Sequence, residues 1–367
     1  MLFRSIMADY ADNIRFSKCE ITLIGNNAFW FRSACTNCRV EQCYMHELGA
    51  GGVKIGHYRM ADNTEDVSSE IVVDNNIIRS GGYVFPCAVG VILFHASDCQ
   101  ITHNEIANFR YSGVSVGWVW GYSFSPSKRN AVDYNHIHHL GWGELCDMGG
   151  VYCLGMSEGT SVSNNVIHDI YSFDYGGWGL YTDEGSTGIV MENNLVYNCK
   201  NSGFHQHYGR ENFIRNNIFY NNMKAQLQAT RVEEHLSFTF SNNIVCFDRG
   251  DLASSNWDKI RLETDKNCYW DSHAKEINFM GISLKEWQKS GKDKHSVVAN
   301  PNFANPSKGD FKIKNKQMMH NIGFKEFDYS KAGVYGSAEW KKLAEFDSGV
   351  AREFDTAVEK NESINKR

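Results

Sequence analysis

Proline is scarce in this chain, with four among 367 residues, and no run of roughly 18 apolar residues occurs. Without such a run, no segment is expected to cross a bilayer as a helix. A surplus of basic residues is also missing: 37 Lys and Arg stand against 43 Asp and Glu, a formal charge of -6. Nucleic-acid backbones are bound by neutralising phosphates, so no nucleic-acid partner is expected. Eleven cysteines cannot all pair within one chain, and most are expected as buried thiols. The opening residues, MLFRSIMADYADNIRF, do not show the basic-then-apolar order of a secretory leader.

In place of these stands a repeat. Seven segments place an Asn just before an apolar stretch: VDNNII at Asn75, THNEIA at Asn104, DYNHIH at Asn135, SNNVIH at Asn165, ENNLVY at Asn194, RNNIFY at Asn217 and SNNIVC at Asn243. They recur every 23 to 31 residues, and weaker copies stand at Cys19, Cys43 and Asn267. This period with alternating apolar positions predicts an all-β chain, a right-handed parallel β-helix of about ten coils. Asn tolerates the left-handed backbone of a tight bend and can bond to its counterpart in the next coil. Cys19 and Cys43 suit the same slot as small, buriable side chains. The repeat occupies 1–270. A loop-rich closing segment is expected over 271–335, with turns at Asn300-Pro301 and Asn305-Pro306. The spacing of Trp340, Leu343, Phe346 and Val350 predicts a short terminal helix, then a disordered tail, within 336–367.

Counting back from each Asn aligns Tyr152, Tyr181 and Phe204 in one outward column, with Leu154, Asp183 and Gln206 beside them. Cys153, Thr182 and His205 then fall in an interior column. Glu184 replaces Asp183 if the register slips by one. Gly, aromatic and acidic residues concentrate in two successive coils, HHLGWGELCDMGGVYCLG and YGGWGLYTDEGSTG, which supply Glu144, Asp147, Asp183 and Glu184. Glycosidic hydrolysis needs such a carboxylate pair: one protonates the leaving oxygen, the other is nucleophile or base. Flat rings suit sugar faces, and Trp118, Trp120, Trp142 and Trp178 are available. Glu144 reads more plainly as a solvated surface acid.

The segments GWVWGYSFS, YNHIHHLGWGELCDMGGVYCLGMSEGTSVSNNVIHDI, YGGWGLYTDEGSTGIVMENNLVYN and FHQHYGRENFIRNNIF resemble the core of β-helix proteins related to glycoside hydrolase family 141. The resemblance runs from about Ala11 to Asn305 and is most specific between Trp118 and Asn217. It implies hydrolysis of cell-wall glycans, with α-L-fucosidase and xylanase activities represented. It also implies two catalytic aspartates, in Asp-x-Gly-Gly-x-Tyr and Tyr-x-Asp-Glu-Gly segments, which match Asp147 and Asp183. Members usually carry a secretion signal and an additional N-terminal region, so upstream sequence and an extracellular or periplasmic location are expected. If both segments were straight strands, Asp147 and Asp183 would stand about 23 Å apart along the groove. A catalytic pair needs roughly 5–10 Å, so the Asp147 loop has to fold back at Gly149-Gly150.

The expected partner is an oligo- or polysaccharide. Glu184, Tyr152, Tyr181, Trp118, Trp120, Trp178, His205 and His207 are its candidate binding residues. His207 beside Glu184 can position a hydroxyl, whereas His205 reads equally as a hydrogen-bonded histidine at a strand end. His205, His207 and Glu184 could converge as metal ligands, and Cys35-x-x-Cys38 with Cys43 resembles half a zinc site, but no metal or other cofactor is expected. The run His136, His138 and His139 has no assigned role. Cys35-x-x-Cys38 lacks a second pair and reads as structural. Two other functions compete. A polysaccharide lyase needs a base near the uronate α-carbon and a cation for its carboxylate, yet the central coils offer few basic residues. Arg210 lies beyond the strand and Lys54 several coils away. A non-catalytic carbohydrate-binding β-helix would keep the tryptophans without needing the acidic pair.

Overall fold

Each coil consists of three short strands that turn alternate apolar side chains inward. The coil Ala131–Asp133, His136–Leu140 and Gly149–Cys153 is followed by Ser161–Ser163, Val166–Ile170 and Trp178–Thr182. Val132, Ile137 and Val151 are fully buried, and they pair in register with Val162, Ile167 and Leu180 one coil on. In the computed structural model, which describes residues 6–274 and 276–365, this pattern builds three parallel sheets of ten, eleven and ten strands. They enclose one continuous apolar core. The architecture is a right-handed parallel β-helix.

At the bend into the eleven-stranded sheet, two adjacent positions have separate tasks. The first is left-handed: Asn75, His103, Tyr134, Asn164, Asn193, Asn216 and Asn242 have φ of 52–57°. The second carries the ladder. Asn104 Nδ2 donates to Asn135 Oδ1 at 2.9 Å, and the Asn104 backbone N–H donates to the same oxygen at 3.0 Å. Equivalent bonds run from Asn76 to Asn267 and satisfy main-chain groups that would otherwise be buried without partners. One correction follows: Asn76, not Asn75, stands in line with Asn104. Only the inward-pointing member of that Asn pair reaches the next coil. Cys43 does occupy the slot, its N–H donating to Asn76 Oδ1 at 2.8 Å. All eleven cysteines are free thiols, most of them buried, and Cys35 and Cys38 lie in the core.

The chain beyond the coils returns over the eleven-stranded sheet. That sheet takes a last strand at Val297–Val298. Helix Leu284–Lys289 begins at a capping box between Ser283 and Glu286 and buries Trp287. In place of one short helix and a disordered tail, two helices form, Ala338–Ala344 and Ser348–Asn365. Asp347 separates them: its Oδ1 accepts from Gly349 N at 2.7 Å and Val350 N at 3.1 Å, capping a new helix. Phe354 of the second helix is 1% exposed, and Tyr171 Oη donates to Glu362 at 2.7 Å. These contacts hold the helix down. Lys366 and Arg367 of the expected tail lie outside the described residues.

Candidate active site

One face of the solenoid stays open. Along the ten-stranded sheet containing Gly149–Cys153, Trp178–Thr182 and Ser202–Gln206, the outward column runs Ser115, Tyr152, Tyr181, His205, Gln228. These side chains line a cavity of about 690 Å³. The same cavity collects both candidate catalytic aspartates, Asp147 and Asp183, and the eight candidate binding residues, Glu184, Tyr152, Tyr181, Trp118, Trp120, Trp178, His205 and His207.

The aromatic wall is packed ring on ring. Tyr152 meets Tyr181 edge-on at 4.9 Å, and Trp178 lies 4.3 Å from Tyr181 and 4.0 Å from His205. Trp178 Nε1 donates to Gln228 Oε1 at 2.6 Å. Trp118 and Trp120, 5.2 Å apart, come from the loop after Val114–Val116, and Trp120 is 53% exposed. Gly121 ties that loop down, its N–H donating to the Glu184 carbonyl at 3.3 Å.

The two aspartates are held crosswise. Tyr152 Oη donates to Asp183 Oδ2 at 2.5 Å, one coil further on. Tyr181 Oη donates to Asp147 Oδ1 at 2.9 Å, one coil back. The wide separation expected of straight strands does not arise. Asp147 sits two residues before its strand in a left-handed turn with φ 55°, and the length of the Tyr181 side chain covers the remaining gap. Gly176 passes so close that a Cβ there would lie 2.6 Å from Asp147 N. Tyr111 Oη secures the turn by donating to the Asp147 carbonyl at 2.6 Å.

Burial pushes the Asp147 carboxyl above the usual carboxylate range. The Tyr181 hydrogen bond opposes that shift, and the charge of Asp183 adds to it. Burial and the two aspartates drive the Tyr152 and Tyr181 phenols far above their ordinary range, so both remain donors. Burial, with His207 nearby, keeps His205 neutral. His207 Nδ1 lies 2.8 Å from Thr230 Oγ1, and Tyr208 Oη donates to Glu184 Oε2 at 2.8 Å.

Several sequence assignments need correction. His205, not Phe204, continues the tyrosine column, and Phe204 is fully buried in the core. Gln206 is likewise interior, and His207 rather than Gln206 follows Asp183. The cause is local. Asp183-Glu184-Gly185 separates two paired strands in one coil, whereas His207-Tyr208 alone does so in the next. Counting from the Asn therefore runs one residue out of phase. Trp142 is remote from the cavity, 5.3 Å from Phe354 under the terminal helix, and Glu144 pairs with Arg110 at 3.2 Å. Tyr111, Gln228 and Thr230 were missed; a register counted strand to strand would have found the last two.

The family pattern described as "Right handed beta helix region" matches residues 63–245. A solved structure named "Glycoside hydrolase" is 28% identical with a TM-score of 0.52, over 56% of this chain and 37% of that one. The match thus spans little more than a third of that protein's length. A mannuronic acid specific polysaccharide family 6 lyase from human gut microbiota shares 10% identity and a TM-score of 0.48, over 91% of this chain and 80% of that one. A lacto-N-biosidase from Eubacterium ramulus shares 10% identity and a TM-score of 0.45, over 72% and 44%. No curated protein matches the sequence.

Proposed function

We propose that this right-handed β-helix protein is a glycoside hydrolase that cleaves oligo- or polysaccharide with Asp147 and Asp183. One observation carries the reading. Carboxylates from adjacent coils face the same aromatic-walled cavity, each fixed by a phenol from the other's coil. Asp147, whose carboxyl burial biases toward the protonated form, is the general acid on the leaving oxygen. Asp183, an acceptor toward Tyr152, is the nucleophile or the base that activates water. Trp120, 53% exposed, offers a face for a sugar ring, and Glu184 and His207 reach ring hydroxyls. The 28% identical glycoside hydrolase agrees with this chemistry. Among the described residues, neither Lys nor Arg lines the cavity, which weighs against β-elimination of uronates.

The test is hydrolysis of a panel of activated aryl glycosides, fucosides and xylosides included. Asp147→Asn and Asp183→Asn should each lower kcat/KM by at least about 10²-fold, the usual worth of general acid–base catalysis. Azide restoring turnover to one variant would mark the residue it replaces. Full activity in both variants removes the proposal, and an unsaturated ultraviolet-absorbing product from uronate polymers would replace it with a lyase.

A further inference from the structure

On the eleven-stranded sheet, away from the cavity, a second cluster of titratable groups lies under the terminal helices. Glu105 pairs in register with His136, and His138 pairs with His168. Their neighbours Ile106, Ile137 and Ile167 are core residues, so these polar side chains stand on the outer face. That face is covered. Phe346 lies 4.9 Å from the His138 ring, and Phe354 lies 5.0 Å from His139. Glu105 is 4% exposed and His138 1%.

The ring nitrogens are the informative part. His136 Nδ1 lies 2.7 Å from Glu105 Oε2, and His138 Nε2 lies 2.5 Å from Glu105 Oε1. His168 Nδ1 lies 2.5 Å from Asp169 Oδ2. His136 Nε2 and His168 Nε2 then face one another at 2.8 Å. If all three carboxylate contacts are N–H donations, a neutral pair has two bare lone pairs in that gap. The alternative is an imidazolium shared between His136, whose side chain is 31% exposed, and the buried His168, at the cost of partly desolvating its charge.

We propose that Glu105, His136 and His138 bind a divalent transition ion of the zinc class. Their ligand atoms lie within 4.8 Å of one another. With an ion among them, His136 Nδ1 and His138 Nε2 become ligands, and every imidazole is satisfied while neutral. His136 Nε2–H donates to His168 Nε2, and His168 Nδ1–H donates to Asp169, which also accepts from Asn198. His138 Nδ1–H donates to His139 Nδ1 at 2.6 Å. Each ligating histidine thus donates its other nitrogen to an acceptor, the usual arrangement around protein-bound metals. Two imidazoles and one carboxylate suit zinc or cobalt rather than calcium or magnesium. The inference is independent of the proposed hydrolase reading.

The experiment uses the full chain, stripped with a chelator and titrated with Zn²⁺ by calorimetry and with Co²⁺ by visible absorption. One ion per chain and the ligand-field bands of nitrogen-coordinated cobalt are expected. His168→Gln, which acts through His136, should weaken binding about 10- to 100-fold, and Glu105→Gln should abolish it. A folded wild-type chain that takes up neither ion at stoichiometry overturns the site and leaves the nitrogens bridged by a proton. Full binding by Glu105→Gln, or loss confined to His207→Gln, overturns it equally.

Discussion

Two outer faces of one solenoid carry clusters of ionisable side chains, and they hold their carboxylates differently. On the open face, Asp147 and Asp183 each accept from a tyrosine, and their remaining surfaces look into a cavity. On the covered face, both oxygens of Glu105 are committed to imidazoles, the carboxylate is buried, and Phe346 and Phe354 pack on the neighbouring His138 and His139 rings. A phenol fixes a carboxylate while staying neutral, which leaves that carboxylate's charge or proton available for a substrate. An imidazole pair uses up the acceptor. What separates the two faces here is which side the terminal helices cover.

The largest expected effect tests the open face. If Asp147 and Asp183 act as one device, the double Asn variant loses little more than either single variant, each of which falls about 10²- to 10⁴-fold in kcat/KM. Strictly multiplicative losses would separate the two residues. Next comes the cover. Phe354→Ala removes a nearly fully buried ring between helix and sheet and should cost about 3 kcal/mol, read as a lower urea midpoint. Activity in the open groove should survive it wherever the chain is folded. Asn165→Ala tests the ladder, which serves both faces alike. It leaves the Asn135 N–H and side-chain amide without the acceptor they share and should cost about 2 kcal/mol.

The smallest effects are in pH dependence. With Asp147 as the proposed general acid, activity should fall as pH rises through its elevated pKa. Tyr181→Phe deletes the bond that opposes this elevation, and the alkaline limb should move to higher pH. Stability has the same sign. A carboxyl with a raised folded-state pKa binds its proton more tightly folded than unfolded, so its contribution is lost as pH rises through that value. Asp147→Asn should therefore raise the Tm at neutral pH while lowering activity. An unchanged Tm would mean that burial of this carboxyl costs the fold nothing.

The ladder was legible because one side-chain amide does a task in every coil that few residues can do. Its single misplacement, Asn75 for Asn76, came where two adjacent asparagines suit adjacent tasks. Tyr152 and Tyr181 were aligned correctly because the chain between their columns and the next Asn is equal in the two coils. His205 was not, because one bend is a residue shorter. A one-residue slip turns a core position outward, and composition carries no warning of it. Asp147 stood out by the composition of its coil and by resemblance, not by register, since counting residues along a strand cannot register a left-handed turn before it.

By itself the sequence determined the architecture, the bend chemistry and the pool of candidate groove residues. All three rest on contacts between equivalent positions of neighbouring coils, which recur at a period the eye can follow. Only the tertiary structure decided that Tyr181 reaches back to Asp147, that Trp118 and Trp120 border the same cavity, and that His138 and His139 lie under Phe346 and Phe354. Those outcomes depend on loop lengths, side-chain reach and the path of the terminal helices, which join residues with no shared period.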